Sequence, residues 1–468
     1  MKKVLFTFAS LLIFILSAHA QDSLRHYLEL ALKNNPGVRQ KFAEYNAALQ
    51  KVPQVGSLPD PDVSVGVFLS PMEQLSGNQA ADIRLMQMFP WFGVLKNAKD
   101  EMSQMARSKF EQLRDTKLQV GYDLQRSWYE LQKVKQNLRI VQKNLSLLHL
   151  LEKLATVRVQ SVSSGNPSAA QGTGMAKSTT GNSSAGSSGM NAMEGNARSA
   201  PAKASMPGNG MGATGGNSAL TEVYKIQMEI NDLQNNLESL HELWKTTTAQ
   251  VNGLLNRAQN ETVSVPDTLI AGEFHPTEKA LADSTLQNNP MLGMLQFEGK
   301  SLDSRKEMVT RMGFPMVGLG INYSLINKSA MSTSTMNGKD MIMPMVTVTL
   351  PIYRKKYKSM QQEADLMKLA NAQNIQATSN ALQTECYQAM QAYQDARRRI
   401  RLYKSQFDLA SKTTDILLKS FGAGETGLND ILRVRQQMFD YQYKMAEAAA
   451  DVNIAIARMN RLGNLALQ

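Results

Sequence analysis

The sequence has one cysteine, Cys386, among its 468 residues. A single cysteine cannot form an intrachain disulfide, and this one lies too far from the N-terminal segment to carry a lipid anchor. Histidine is also scarce, with five in the chain, and none stands at a zinc-binding or catalytic spacing from an acidic residue. The sequence therefore predicts no disulfide, no cofactor and no enzyme.

Long apolar runs are missing except at the N-terminus. Two lysines precede an apolar run at 4–16, and Ser-Ala-His-Ala at 17–20 contains an Ala-x-Ala-type cleavage site. This pattern predicts a secretory signal at 1–20 that is cleaved before Gln21. An uncleaved membrane anchor is the alternative. No later stretch reaches the roughly 18 apolar residues of a transmembrane helix, so any membrane crossing has to use β-strands.

Positive charge is in excess, but it is not concentrated in one place. The formal net charge is +11 and the pI is near 9.4. Lysine and arginine are interleaved with glutamate and aspartate along helical segments, which is typical of solvated helix faces and not of a nucleic-acid surface. We therefore expect no nucleic-acid partner.

The sequence is internally duplicated. An Asn-Asn-Pro motif at 34–36 is followed 25 residues later by Pro61 and an alternating apolar segment. The same motif at 288–290 is followed 25 residues later by Pro315 and a second such segment. In each copy another alternating segment and two long helical stretches follow. Two copies of one unit predict a single symmetric body instead of two unrelated domains.

Each copy contains two long helices whose apolar residues recur at alternating spacings of three and four, as in coiled coils. The first repeat, 21–257, is predicted to contain a hairpin at 60–89 and helices at 95–157 and 219–257, and the second repeat, 258–468, a hairpin at 315–350 and helices at 356–419 and 427–463. Residues 161–218 are rich in Gly, Ser, Ala, Asn and Met. Such a composition buries too little apolar surface to offset its ordering entropy, so we expect a disordered insertion there.

The alternating segments have the length of transmembrane strands, about nine to eleven residues. In the last of them, Val346 and Val348 are expected to face lipid, while Met343 and Met345 face the interior. Four strands cannot close a barrel, so in lipid the edges of the sheet must pair with other copies of the chain. The alternative is a pair of soluble hairpins on a periplasmic coiled-coil adaptor or structural protein.

Three segments carry a resemblance to a known family: Ala-Leu-Lys-Asn-Asn-Pro at 31–36, Met-Phe-Pro-Trp-Phe-Gly at 88–93, and the glycine-rich turn at 421–432 before a long helix. In this duplicated order they resemble the TolC-type outer-membrane efflux proteins, or outer membrane factors. The resemblance implies a mainly α protein with a membrane β-barrel portion. It also implies a homotrimer in which a long α-barrel in the periplasm joins a 12-stranded β-barrel in the outer membrane.

The resemblance further implies a passive exit duct in contact with outer-membrane lipid. Its partners would be a periplasmic adaptor (membrane fusion) protein and an inner-membrane pump of RND type. The entrance gate and the adaptor contact are expected at the helical tips, where the candidate residues are Glu222, Lys225, Gly424, Leu428, Asp430 and Arg433. Carboxylates repeated around a pore would concentrate cations, although acidic residues are also favoured at any helix N-terminus.

Methionine is abundant, with 28 in the chain. Met86, Met88, Met343 and Met345 are candidate contacts along the lumen, because thioethers are soft ligands that suit Cu(I) and, by the same softness, Ag(I). The family has a heavy-metal, CusC-like branch, so one hypothesis for the cargo is Cu(I), Ag(I) or another heavy-metal cation. A multidrug or organic-compound duct is the alternative, since methionine is also a flexible packing residue.

Overall fold

The computed structural model describes residues 22–74, 76–163, 215–422 and 427–464. The expected signal peptide and Gly424 lie outside the described residues, as does most of the expected insertion. The limits expected for that insertion, 161–218, are wrong at both ends, because 161–163 and 215–218 are helical. The helices on both sides of the insertion therefore extend a few residues into the segment that is rich in Gly, Ser, Ala, Asn and Met.

The described residues form a mainly helical chain with one small sheet. The helices are α1 (Asp22–Asn34), α2 (Pro36–Gly56), α3 (Val94–Ser163), α4 (Gly215–Leu255), α5 (Glu278–Asn288), α6 (Pro290–Met312), α7 (Arg354–Gly422) and α8 (Leu428–Gly463), and the strands are β1 (Asp62–Gln74), β2 (Gly77–Phe89), β3 (Met316–Asn327) and β4 (Met341–Thr349). Each half runs through two helices, a hairpin and two more helices. Within the described part of the chain, no helix combines the length and the apolar character needed to cross a membrane.

The described residues fall into two compact units. The larger takes its members from 1–140, 239–416 and 434–468, and the smaller from 141–238 and 417–433. The larger unit contains the sheet and both Asn-Asn-Pro motifs. The smaller unit contains the tip residues that the sequence singled out.

Within the described residues, the larger unit contains two hydrophobic cores. The first is built from the first repeat together with Val263 and Val265, and the second is built from the second repeat. The first core surrounds Trp128, which is 2% exposed and whose ring lies 5.2 Å from that of Tyr27. Its other buried members include Leu124 and Leu131 of α3 and Val251 and Leu255 of α4, and the second core includes Leu281, Leu382, Met390, Tyr393, Val452 and Met459. The seam residues of the coiled-coil pattern thus supply both cores.

The Asn-Asn-Pro motif breaks the opening helix of each repeat in the same way. Asn35 caps α2, and its Oδ1 accepts from the backbone N–H groups of Gly37 at 2.9 Å and Val38 at 3.4 Å. Asn289 caps α6 and accepts from the N–H of Met291 at 3.0 Å. The following proline fits the first helical position, where its missing N–H has no partner to lose.

Each capping asparagine also holds the end of its repeat's last helix. The Asn35 amide donates to the carbonyl of Leu254 at 3.0 Å, and the Asn289 amide donates to that of Leu462 at 3.4 Å. Both asparagines are 8% exposed. One side chain therefore hydrogen-bonds to backbone groups at two helix ends that would otherwise lack a partner. This double role explains why the motif recurs at equivalent positions.

A cluster of charged residues joins the two repeats inside the larger unit. Arg458 of α8 donates to Glu385 of α7 at 3.0 Å, and Arg461 lies 3.7 Å from the same carboxylate. The Arg461 guanidinium also lies over the ring of Tyr122 of α3. Burial raises the pKa of Asp115, and the charge of Arg461 partly opposes that increase. Arg461 thus connects a helix of the first repeat to two helices of the second.

The sheet is antiparallel with the strand order β1-β2-β3-β4. Each repeat contributes one hairpin, and the two hairpins join along β2 and β3, where Phe89 pairs with Val317 and Asn78 with Asn327. The register of β1 against β2 shifts between Val67 and Met72. Within the described residues, β1 and β4 each pair with a single neighbour, so the sheet has two open edges.

Candidate functional site

One face of the sheet is apolar and exposed. Residues that lie opposite each other on neighbouring strands share a face, and the register groups the exposed side chains of Val63, Val65, Ile83, Leu85, Leu319, Ile321, Ile342, Val346 and Val348 on this one. Single exposed apolar residues are ordinary, but a continuous apolar surface across four strands marks an interaction surface. We call these nine residues the apolar face.

The opposite face carries polar groups. Ser324 donates to Oδ1 of Asp82 at 3.3 Å and accepts from the amide of Gln79 at 3.3 Å. Arg84 lies opposite Asn322 on the next strand. On β4, Val346 is 68% exposed on the apolar face, while Met345 on the polar face is partly buried. The alternation between two faces that was expected for this strand is therefore present in the sheet, and the contact of one face with lipid stays a prediction.

The four sheet methionines named from the sequence lie on the polar face. One cross-strand row runs Asp62, Met86, Gly320, Met345, and the next row runs Met88, Gly318, Thr347. Met343 lies in a third row, opposite Asn322. The fold thus brings together methionines from 86–88 and 343–345, which are far apart in the chain. We call Met86, Met88 and Met345 the methionine set.

Two glycines of β3 make room for the methionine set. A Cβ atom on Gly318 would lie 2.6 Å from the sulfur of Met88, and one on Gly320 would lie 2.8 Å from the carbonyl oxygen of Leu85. The Met88 side chain therefore occupies space that any other residue at 318 would need. Sequence reasoning missed both glycines, although glycine at alternate positions of a strand signals a close approach on one face.

The smaller unit brings together part of the expected gate. Arg433 donates to Asp430 at 3.1 Å, one turn earlier on α8. Lys225 of α4 donates to Oδ1 of Asn429 at 3.2 Å. Leu428 is buried at the start of α8, Glu222 is half-buried, and Gly424 lies outside the described residues. Sequence reasoning missed Asn429, whose position beside Asp430 was the available signal.

A second polar contact in the smaller unit links α3 to α4. Gln227 donates to Glu152 at 3.0 Å, and the ring of His149 lies 3.4 Å from the same carboxylate. The hydrogen bond from Gln227, followed by that from His149, lowers the pKa of Glu152. The sequence did not predict this histidine-acid pair. It is an exposed contact between residues three apart on one helix, which is ordinary surface pairing.

The described residues do not assemble a conventional metal centre. No group of three or more His, Cys, Asp or Glu side chains among them is arranged to hold a metal ion. Cys386 is buried and lies 3.3 Å from the hydroxyl of Thr285. Burial raises the pKa of its thiol, which favours the unreactive protonated form.

No protein-family model matches the sequence, and no curated protein is similar to it at a significant level. Solved structures do match. The outer membrane protein VceC from Vibrio cholerae is 12% identical, with 94% of this chain and 96% of that chain covered and a TM-score of 0.68. The open state of the MtrE outer membrane channel from Neisseria gonorrhoeae is 12% identical, with 95% and 90% covered and a TM-score of 0.69.

CusC, a protein described as forming a transmembrane channel, is 11% identical, with 94% of this chain and 92% of that chain covered and a TM-score of 0.67. Matches of this extent include both the long helices and the sheet. The resemblance to the TolC-type proteins is therefore confirmed in fold, and the chain shares the architecture of these outer-membrane channels.

Proposed function

We propose that this protein is the outer-membrane exit duct of a tripartite efflux system and conducts substrate passively from the periplasm to the exterior. The observation that carries the proposal is the apolar face of a sheet with two open edges. Water cannot satisfy the backbone groups of an open edge inside a bilayer, so the edges must pair with strands. The fold shared with outer-membrane channels supports the same conclusion.

Pairing of β1 with β4 of another copy satisfies both edges at once. Because each copy supplies four strands, a homotrimer closes a barrel of 12 strands, an even number within the usual range for outer-membrane barrels. The apolar face then contacts lipid and the polar face lines the lumen. The paired repeats continue as a helical body in the periplasm, with no resident cofactor.

The experiment for the duct combines localisation, assembly and conductance. The full-length protein is expected in the outer-membrane fraction as a trimer that survives mild detergent, and purified trimers are expected to give discrete conductance steps in a planar bilayer. A monomer in the soluble periplasmic fraction would instead support the coiled-coil adaptor or structural protein. Outer-membrane trimers that carry no current would contradict the proposed conduction but not the proposed location or assembly.

The smaller unit is the proposed entrance. Its partners would be a periplasmic adaptor protein, which contacts the helical tips, and through it an inner-membrane pump of RND type. Support comes from the charged and polar residues gathered there, since Lys225 contacts Asn429 and Asp430 contacts Arg433. Copies of these groups around a threefold axis would form charged rings at the opening.

Substitution Asp430→Asn is expected to lower the cation preference of the duct. It removes one carboxylate per copy and releases Arg433 from its ion pair, so the local potential becomes more positive. The measurement is the reversal potential of single trimers in a salt gradient, which should move toward zero. Asp440→Asn removes an exposed carboxylate further along α8 and serves as the matched control. Equal reversal potentials for the two variants would rule out Asp430 as a pore-lining group.

For the cargo we propose heavy-metal cations of the soft class, Cu(I) or Ag(I). The support is the position of Met86, Met88, Met343 and Met345 on the proposed lumenal face. Deletion of the gene is expected to sensitise cells to copper and silver, and the wild-type gene should restore tolerance. Unchanged metal tolerance with increased sensitivity to organic compounds would support the multidrug duct.

A further inference from the structure

On the polar face of the sheet, three methionine side chains lie in adjacent cross-strand rows. Met86 and Met345 lie in one cross-strand row with only Gly320 between them. In the adjacent row Met88 faces Gly318, and its sulfur lies over that glycine. The two glycines thus leave β3 without side chains at the positions that separate the methionines of β2 and β4.

The spacing lets sulfur atoms from both sides reach one ion. Neighbouring strands lie about 4.8 Å apart, so β2 and β4 are roughly 10 Å apart across β3. Methionine is unbranched with three rotatable side-chain bonds, and Met88 already extends over the middle strand. A Cβ atom at 318 would displace the sulfur of Met88, and one at 320 would lie 2.8 Å from the Leu85 carbonyl oxygen and 3.5 Å from Cβ of Met86.

The surroundings of the methionine set are consistent with a bound monovalent cation. Asp62 lies in the same row as Met86 and Met345 and adds negative charge, while Arg84 on the next row adds positive charge. Asn322, two residues from Gly320 on the same face, is 8% exposed. Its Oδ1 has no hydrogen-bond partner among the described residues, so it can accept a hydrogen bond from water bound to a hydrated cation.

We propose that Met86, Met88 and Met345 form a binding site for Cu(I) or Ag(I), with Gly318 and Gly320 as the residues that open it. Thioether sulfur selects soft cations and is a poor ligand for Mg²⁺ and Ca²⁺, which require oxygen. A role for this site in export rests on the proposed duct, whereas its binding chemistry depends only on the sheet.

The test uses Ag(I) as the probe and the purified full-length protein in detergent. Methionine methyl groups labelled with carbon-13 report coordination directly, and titration against a competing chelator gives the affinity. In the wild-type protein the signals of Met86, Met88 and Met345 should shift on addition of Ag(I), and excess Mg²⁺ should not reverse the change. The absence of shifts at these three residues would overturn the proposal.

Three variants separate the site from general methionine content. The first triple variant is Met86→Leu/Met88→Leu/Met345→Leu, and it should weaken Ag(I) binding on the order of a hundredfold. The matched control is Met228→Leu/Met291→Leu/Met367→Leu. It removes three exposed methionines elsewhere and should bind Ag(I) as the wild-type protein does. Gly318→Ala keeps every sulfur but forces that of Met88 to move, so it should weaken binding by about tenfold. Equal affinity of the wild-type protein and the first triple variant would refute the site.

Conductance is measured on the same preparations, so that the test of the Ag(I) site and the test of the duct can fail independently. The matched control variant should assemble and conduct as the wild-type protein does, because its three exposed methionines lie in helices outside the sheet. A wild-type protein that binds Ag(I) but does not conduct would contradict the proposed function and leave the site intact. A protein that conducts but binds Ag(I) no better than the first triple variant would contradict the site and leave the duct intact.

Discussion

Substitution Val346→Arg is expected to abolish stable assembly in the outer membrane. Val346 is 68% exposed on the apolar face, opposite Leu319, so in the proposed barrel an arginine at this position would face lipid. A charged residue on the lipid side of a membrane barrel costs about 2–4 kcal/mol near the bilayer midplane. In a trimer this cost is incurred three times, which is comparable with the whole stability of an ordinary domain.

The matched control for Val346→Arg is Thr347→Arg. The two positions are adjacent on β4 but lie on opposite faces, since Thr347 pairs with Gly318 on the polar face. Thr347→Arg should therefore assemble almost normally. The measurement is the amount of detergent-resistant trimer in the outer-membrane fraction at equal expression. Equal yields of the two variants would show that the apolar face does not meet lipid.

Loss of a capping asparagine should destabilise the helical part of the protein. Asn35→Ala removes an N-cap, worth about 1 kcal/mol. It also leaves the partly buried carbonyl of Leu254 without its donor, which costs about 1–3 kcal/mol. Asn289→Ala acts at the equivalent place of the second repeat, but its bond to Leu462 is longer, at 3.4 Å against 3.0 Å. We therefore expect a smaller loss for Asn289→Ala than for Asn35→Ala.

The motif supplies its own controls for this prediction. Asn34→Ala and Asn288→Ala change the neighbouring asparagines, which make only exposed contacts with Arg39 and Ser284. Each control should change stability by less than about 0.5 kcal/mol. Urea unfolding of the detergent-solubilised protein, followed by circular dichroism, measures all four variants. If the capping variants unfold at the same urea concentration as the controls, the asparagines do not hold the helix ends.

The coarse architecture could be predicted from the sequence because its signals are periodic. Spacings of three and four marked the seams that now supply the two cores, including Leu131 of the first and Val452 of the second. Alternation marked residues such as Val346, whose exposure on one face follows directly from strand geometry. The mainly helical fold with a small sheet was confirmed on that basis.

Contacts between distant residues could not be predicted in the same way. The cap formed by Asn35 follows from local rules, but its bond to Leu254 joins residues 219 positions apart. The opposition of Met86, Gly320 and Met345 depends on the register of three strands, and a shift of one residue would place them on different faces. The ends of the expected insertion were misplaced because helix formation at 161–163 and 215–218 depends on continuation of the adjoining helices, which composition does not report.

The junction between the two hairpins has a consequence for the order of folding. Met88 of β2 pairs with Gly318 of β3, 230 positions later in the chain. The first hairpin emerges from synthesis long before its partner, and its inner strand must remain unpaired while the intervening residues are made. Pairing over such a separation is slow, and an exposed strand edge invites association with the wrong chain in the meantime. The sheet is therefore expected to form late in folding. Because of this topology, the first hairpin has to be protected from pairing with other chains until β3 has been made.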